Sequence, residues 1–203
     1  MIKIDYFVSL NSPWAYLGSA RFIDLVARYK VAVTVKPANF GEVFEHTGGL
    51  PLPKRSPQRQ AYRMMELKRW RDELGIAIEL QPDNFPSNEL PGVHAVLATQ
   101  LAGGNALGLS AEIGRSLWEH DLNIGDRAVV EAAGRRAGVD VAALLEAGPN
   151  AEQLDAIWGA NTREAVELGV FGAPSYRFED GEIMWGQDRL HFVANKLAAM
   201  SAP

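Results

Sequence analysis

Residues Ile2 to Leu10 alternate apolar and polar and are rich in β-branched and aromatic side chains, which predicts a strand. Asn11-Ser12-Pro13 interrupts it; Ser12 suits a helix N-cap and Pro13 the first helical position. From Trp14 to Tyr29 the apolar residues Leu17, Phe22, Ile23, Leu25 and Val26 recur at helical spacing, and Val31 to Pro37 alternates again as a second strand. Strand, helix and strand in the first forty residues imply two parallel strands joined by a right-handed crossover. His46 to Ser56 is rich in Gly and Pro and reads as a loop. Pro57 to Leu74 predicts a long amphipathic helix stopped by Gly75, and Leu80 to Pro91 a second loop. Helical stretches follow near 92–102, 109–119, 126–137, 141–147 and 151–168, broken by Gly103-Gly104, Gly125, Gly138 and Gly148-Pro149. Gly169 to Pro174 is a turn, Ser175–Phe178 and Glu182–Trp185 form a hairpin around Glu179-Asp180-Gly181, and Leu190 to Met200 is a terminal helix. The expected class is α/β: a β-α-β … β-β-α frame made of residues 1–45 plus 169–203, carrying a large α-helical insertion at 46–168.

Composition narrows the chemistry. A hydrophobic content of 47% supports a real core, and a net charge of −5 argues against a nucleic-acid partner. No run of about 20 apolar residues offers a membrane span, and the N-terminus enters a strand without a secretory pattern, so a cytoplasmic location is expected. Cysteine is absent. The chain therefore has no thiol for disulfide exchange, and any sulfur chemistry must use a borrowed one. His46, His94, His120 and His191 have no metal-ligand spacing, so no metal is expected.

Three motifs carry candidate chemistry. Ser12-Pro13-Trp14-Ala15 opens a helix directly after a strand, where a thioredoxin fold holds a Cys-Pro-x-Cys pair. Ser12 and Ala15 stand in place of the two cysteines, yet the helix N-terminus still offers free N–H groups and partial positive charge to an anion. Ser12 has two roles open to it: a cap, or a donor to a thiolate. A thiol of pKa about 8.5 is only about 3% ionised at pH 7, and lowering it by about two units needs roughly 2.7 kcal/mol. A hydrogen bond to a charged group contributes about 1.5–3 kcal/mol and the helix end about 0.3–1 kcal/mol more, which is sufficient. The second motif, Val170-Phe171-Gly172-Ala173-Pro174, puts Pro174 just before a strand, as an ordinary turn proline or as a cis-proline beside the first helix. In the third, Trp185-Gly186-Gln187-Asp188-Arg189, Asp188 is either an N-cap or a binder of an ammonium group.

With Tyr6-Phe7 leading to Ser12-Pro13, the run Tyr62…Glu66-Leu67…Arg69-Trp70, Phe171-Gly172-Ala173-Pro174 and Trp185-Gly186-Gln187-Asp188-Arg189 in this order, the chain resembles the 2-hydroxychromene-2-carboxylate isomerase family, close to kappa-class glutathione transferases and DsbA-like in fold. The resemblance implies a thioredoxin-like domain with a helical insertion, a homodimer, and glutathione as cosubstrate. It carries over Ser12 as the catalytic serine, Val170 as a backbone partner of the glutathione cysteine, Pro174 beside it, and Gln187 and Asp188 as γ-glutamyl binders. Asn11, Trp14, Asn84 and Phe85 fall where substrate is lined, and Lys54, Arg55 and Arg59 are candidate cations for a substrate carboxylate. The implied reaction is reversible thiolate addition, ring opening, bond rotation and thiol elimination in aromatic breakdown. A kappa-like transferase for other electrophiles and a non-catalytic DsbA-like peptide-binding module are the alternatives. Departures fall in the substrate region: Phe85 stands where the family has an aromatic hydroxyl, Phe44 near a family lysine, and Gly49 near a family asparagine.

Overall fold

The computed structural model describes residues 1–201, so the last two positions of the expected 169–203 segment lie outside the described residues. Strand β1 (Lys3–Val8) runs parallel to β2 (Ala32–Pro37) through helix α1 (Pro13–Tyr29). Strand β3 (Ser175–Phe178) pairs antiparallel with the other edge of β1, and β4 (Ile183–Trp185) pairs antiparallel with β3. The sheet order is β2-β1-β3-β4, and helix α9 (Leu190–Ser201) closes the chain. This is the expected thioredoxin-like frame. Tyr6 on β1, Phe22 on α1 and Tyr176 on β3 fill the contact between helix and sheet, with ring centroids 4.7–5.4 Å apart.

Between the halves lie α2 (Phe40–Thr47), α3 (Pro57–Leu74), α4 (Leu90–Leu101), α5 (Ala106–Trp118), α6 (Arg127–Ala137), α7 (Val141–Ala147) and α8 (Ala151–Glu167). Helix α2 does not appear in the expected element list. It is two turns long, capped by Asn39 through Gly41 N, and ends on Gly48 at φ +76°. The expected division between 45 and 46 therefore falls inside a helix. One cluster of buried residues runs from Ile4 and Val8 through Leu17 into Val96, Leu109 and Ile113, so frame and helices share a core. Gln100 on α4 pairs with the backbone of Val35, accepting from its N–H at 2.6 Å and donating to its carbonyl at 3.0 Å. That contact protects the edge of β2 as a further strand would.

Among the described residues two X-Pro bonds are cis: Ala173–Pro174, at the position marked by the sequence, and Phe85–Pro86, which carries no such mark.

Candidate functional site

Ser12 caps α1. Its Oγ accepts from Ala15 N at 3.2 Å and donates to the carbonyl of Ala173 at 3.4 Å. Because Pro13 has no N–H and Ala15 N is taken, the N–H of Trp14 is the free donor of the first turn among the described residues. The start of α1 thus lies against the residue preceding cis-Pro174.

Beside this contact is a cleft of about 260 Å³. Trp14 lines it from α1, Arg55 from the segment before α3, and Glu66 and Trp70 from α3. Ala173 and the run Trp185 to Arg189 form the other wall. Glycines make that wall possible. A Cβ on Gly172 would lie 2.3 Å from Trp185 Nε1, so the indole occupies the place of a missing side chain. Gly186 has φ +98°, and a Cβ there would lie 2.4 Å from Asp188 Oδ1. The N–H of Gly186 donates to the carbonyl of Pro174 at 2.9 Å, tying the two motifs together.

Ser12 itself does not line the wide cleft. It borders an adjoining crevice of about 10 Å³ with Tyr6, Ser9, Ala15 and Tyr16. A sulfur bonding to its hydroxyl would sit where the cleft ends at Ala173 and would replace the long 3.4 Å contact.

The other sequence candidates separate. Pro174 is buried beneath the cleft wall, and Trp14 lines the cleft. Val170 does not: it is fully buried among Phe7, Ala38 and Val43, and its N–H donates to Ala165 O at the end of α8. The backbone bordering the cleft is that of Ala173, whose N–H has no backbone partner among the described residues. Val170, expected at the cleft, is thus set back from it, and Ala173 stands at its edge. Gln187 adjoins the cleft, yet its side chain is 1% exposed and its Oε1 accepts from Arg21. Asp188 is not an N-cap of α9; it lies in a 3-10 turn, Gln187–Arg189, and its carboxylate pairs with Arg189 at 2.7 Å.

Asn11 and Asn84 do structural work. The Asn11 amide forms a reciprocal pair with Ser87, donating to its carbonyl at 2.9 Å and accepting from its N–H at 3.0 Å. Asn84 donates its side-chain amide to the carbonyl of Asp121 at 2.6 Å. Asn11 holds the cis-Pro86 loop against the segment before Ser12, and Asn84 holds it against the segment after α5. Glu89 joins them, accepting from Ser9 Oγ at 2.8 Å and from Asn11 N at 3.2 Å. Burial pushes its carboxyl up, against the opposing effect of those hydrogen bonds.

Of the candidate cations, Arg55 reaches the cleft, and burial followed by the charge of Arg59 holds its pKa down. Lys54 and Arg59 are exposed and do not line it. A further cation was missed. Arg63 lies over the rings of Phe85 at 5.5 Å and Trp118 at 5.9 Å, with no carboxylate within 4.0 Å among the described residues. Burial first, then the charge of Arg55, lowers its pKa to about 10. Phe85 packs on Trp118 at 4.9 Å and thereby presents a surface to this cation rather than a hydroxyl to a ligand. Glu66 and Trp70 were also missed as lining residues. Glu66 and Trp70 follow Arg63 by three and seven residues, on the same face of α3, and that spacing was the available signal.

The arrangement offers an anion position at a helix start, an open backbone edge at a cis-proline, carboxylates and guanidiniums in one cleft, and aromatic walls. The chain is 27% identical to glutathione S-transferase kappa 2 of Caenorhabditis elegans, covering 96% of this chain and 91% of that protein. It is 25% identical to a 2-hydroxychromene-2-carboxylate isomerase of Sphingobium xenophagum, covering 96% and 97%. A solved 2-hydroxychromene-2-carboxylate isomerase superposes with a TM-score of 0.78 at 20% identity, over 98% of this chain and 95% of that one. The family model for the DSBA-like thioredoxin domain matches residues 3–198, and the chain belongs to that family.

Proposed function

We propose that the protein is a glutathione-dependent enzyme, and within that class an isomerase acting on a conjugated aromatic carboxylate. The observation that carries this reading is the contact of Ser12 Oγ, at the start of α1, with the carbonyl of Ala173 beside cis-Pro174. The names of the relatives, an isomerase and a glutathione transferase, support the same class. The cleft suits glutathione, a tripeptide with one ammonium, two carboxylates and a thiol. Asp188 meets the ammonium, Arg55 a carboxylate, and the open N–H of Ala173 pairs with the peptide backbone as an added strand would.

Bound there, glutathione supplies a nucleophilic thiolate that adds to an electrophilic carbon and leaves again. Ser12 turns its hydroxyl from Ala173 toward the sulfur and, with the free N–H of Trp14, stabilises the anionic form. Trp14 and Trp70 keep water from the reacting end, and Arg63, the cation over Phe85, meets the substrate carboxylate.

Ser12→Ala is the test. The lost bond is worth about 1.5–3 kcal/mol, so turnover with the chromene acid falls about 10- to 150-fold, while the melting temperature falls only by the few degrees that a lost N-cap of about 1 kcal/mol costs. A crystal structure with glutathione is expected to place sulfur within hydrogen-bond distance of Ser12 Oγ. Full activity in Ser12→Ala, or sulfur lodged elsewhere, contradicts the reading.

A further inference from the structure

The turn that carries Asp188 is fastened from behind by a residue outside the cleft. Gln187 borders the cleft, and its side-chain oxygen reaches back to α1, where the residue meets Gly18 and Arg21. A Cβ on Gly18 would lie 2.9 Å from Gln187 Cβ and 3.2 Å from Tyr176 Oη, so the turn and β3 approach the helix as closely as a glycine allows. Arg21 lies nine residues after Ser12 on the same helix. Its Nη2 donates to Gln187 Oε1 and, at 3.5 Å, to Leu17 O. Its Nε, Gln187 Nε2 and Tyr176 Oη are buried without partners. No carboxylate lies within 4.0 Å of the Arg21 guanidinium among the described residues. Burial holds its pKa down, and the nearby Asp188 carboxylate acts against that shift. A desolvated cation with one strong acceptor is costly to keep unless it does something for its neighbours. Its side-chain acceptor is Gln187, the residue that begins the turn at the cleft wall and precedes Asp188.

We infer that Arg21 is a positioning residue for the γ-glutamyl end of the thiol cosubstrate: by clamping Gln187 beneath the turn, it holds Asp188 toward the cleft and makes the site select thiols that carry that group. The inference rests on the glutathione reading above. Arg21 touches no ligand itself. It fixes one end of the cleft while leaving the Ser12 end, nine residues away along α1, to its own cap.

The test compares two thiols that differ only at the relevant end: glutathione, and cysteinylglycine, which lacks the γ-glutamyl group. Dissociation constants are measured by calorimetry for the wild type, Arg21→Met, Arg21→Lys, and Gln187→Met as a variant that removes the acceptor from the other side. The wild type is expected to prefer glutathione. Arg21→Met and Gln187→Met are expected to weaken glutathione about tenfold and leave cysteinylglycine within about twofold, with Arg21→Lys in between. A merely structural role would weaken both thiols alike, and that result overturns the inference. A wild type selective for glutathione with equally selective variants overturns it alone. A wild type indifferent to both thiols overturns the glutathione reading and this inference together.

Discussion

Gly172 is a residue whose lack of a side chain is the site's construction. Alanine there would put a Cβ 2.3 Å from Trp185 Nε1, and the indole would have to leave its place against the cleft. Overpacking of this kind costs about 1–3 kcal/mol. We expect Gly172→Ala to lower the melting temperature and shift tryptophan emission, and unchanged emission would contradict the packing described. Arg63 is the opposite case, a side chain held at some cost. Its pKa is lowered to about 10, so the folded state disfavours the charge, and that penalty is present below pH 10. Arg63→Met is therefore expected to raise the melting temperature at neutral pH while raising KM for an anionic substrate about tenfold; lower stability with unchanged KM would make Arg63 structural. The Ser12 cap and the proline before β3 were legible because each carries a positional signal, whereas the cap signal at Asp188 misled. Arg21, Arg63 and Ala173 were not legible. Two of them gain meaning from neighbours distant in sequence, Gln187 and Phe85, and the third from the cis bond that follows it.

At the scale of elements, strong periodicity with caps was readable. Helix α3 begins at Pro57 after the Ser56 cap and ends at Leu74 before Gly75, as the pattern predicts. Helix α2 escaped because only Phe40 and Val43 are buried along its eight residues, and the Gly48-Gly49 loop signal begins at once. The loop at cis-Pro86 is held by Asp121, whose carboxylate accepts from the N–H groups of Asn84 at 2.9 Å and Asp83 at 3.0 Å. Those backbone bonds, Asn84 first, hold its carboxyl below the usual range. A depressed carboxyl contributes stability that is complete above its unfolded pKa and lost as pH falls through the folded one. Amide exchange at residues 83 and 84 is accordingly expected to be protected at neutral pH, to lose that protection in acid, and to be fast at every pH in Asp121→Asn. Equal protection in wild type and variant would remove Asp121 from this role.

At the scale of the molecule, the shared core explains why the frame was legible and its boundary was not. Parallel and antiparallel pairing to β1 follow from strand order and loop length, whereas burial continues from Leu17 into Leu109 and Ile113 without a break. Isomerase and conjugating transferase use the same thiol and differ in whether it leaves again. Turnover of the chromene acid without net consumption of glutathione is expected; activity with chlorodinitrobenzene alone would favour the transferase. Beneath both stands the claim that the helix start at Ser12 holds a borrowed thiolate. The most direct measurement is a pH titration of thiolate ultraviolet absorbance for glutathione with saturating protein. The bound thiol is expected to ionise about one to two pH units below the free one, with Ser12→Ala returning it toward the free value. A bound thiol that titrates like free glutathione in the wild type would contradict the claim.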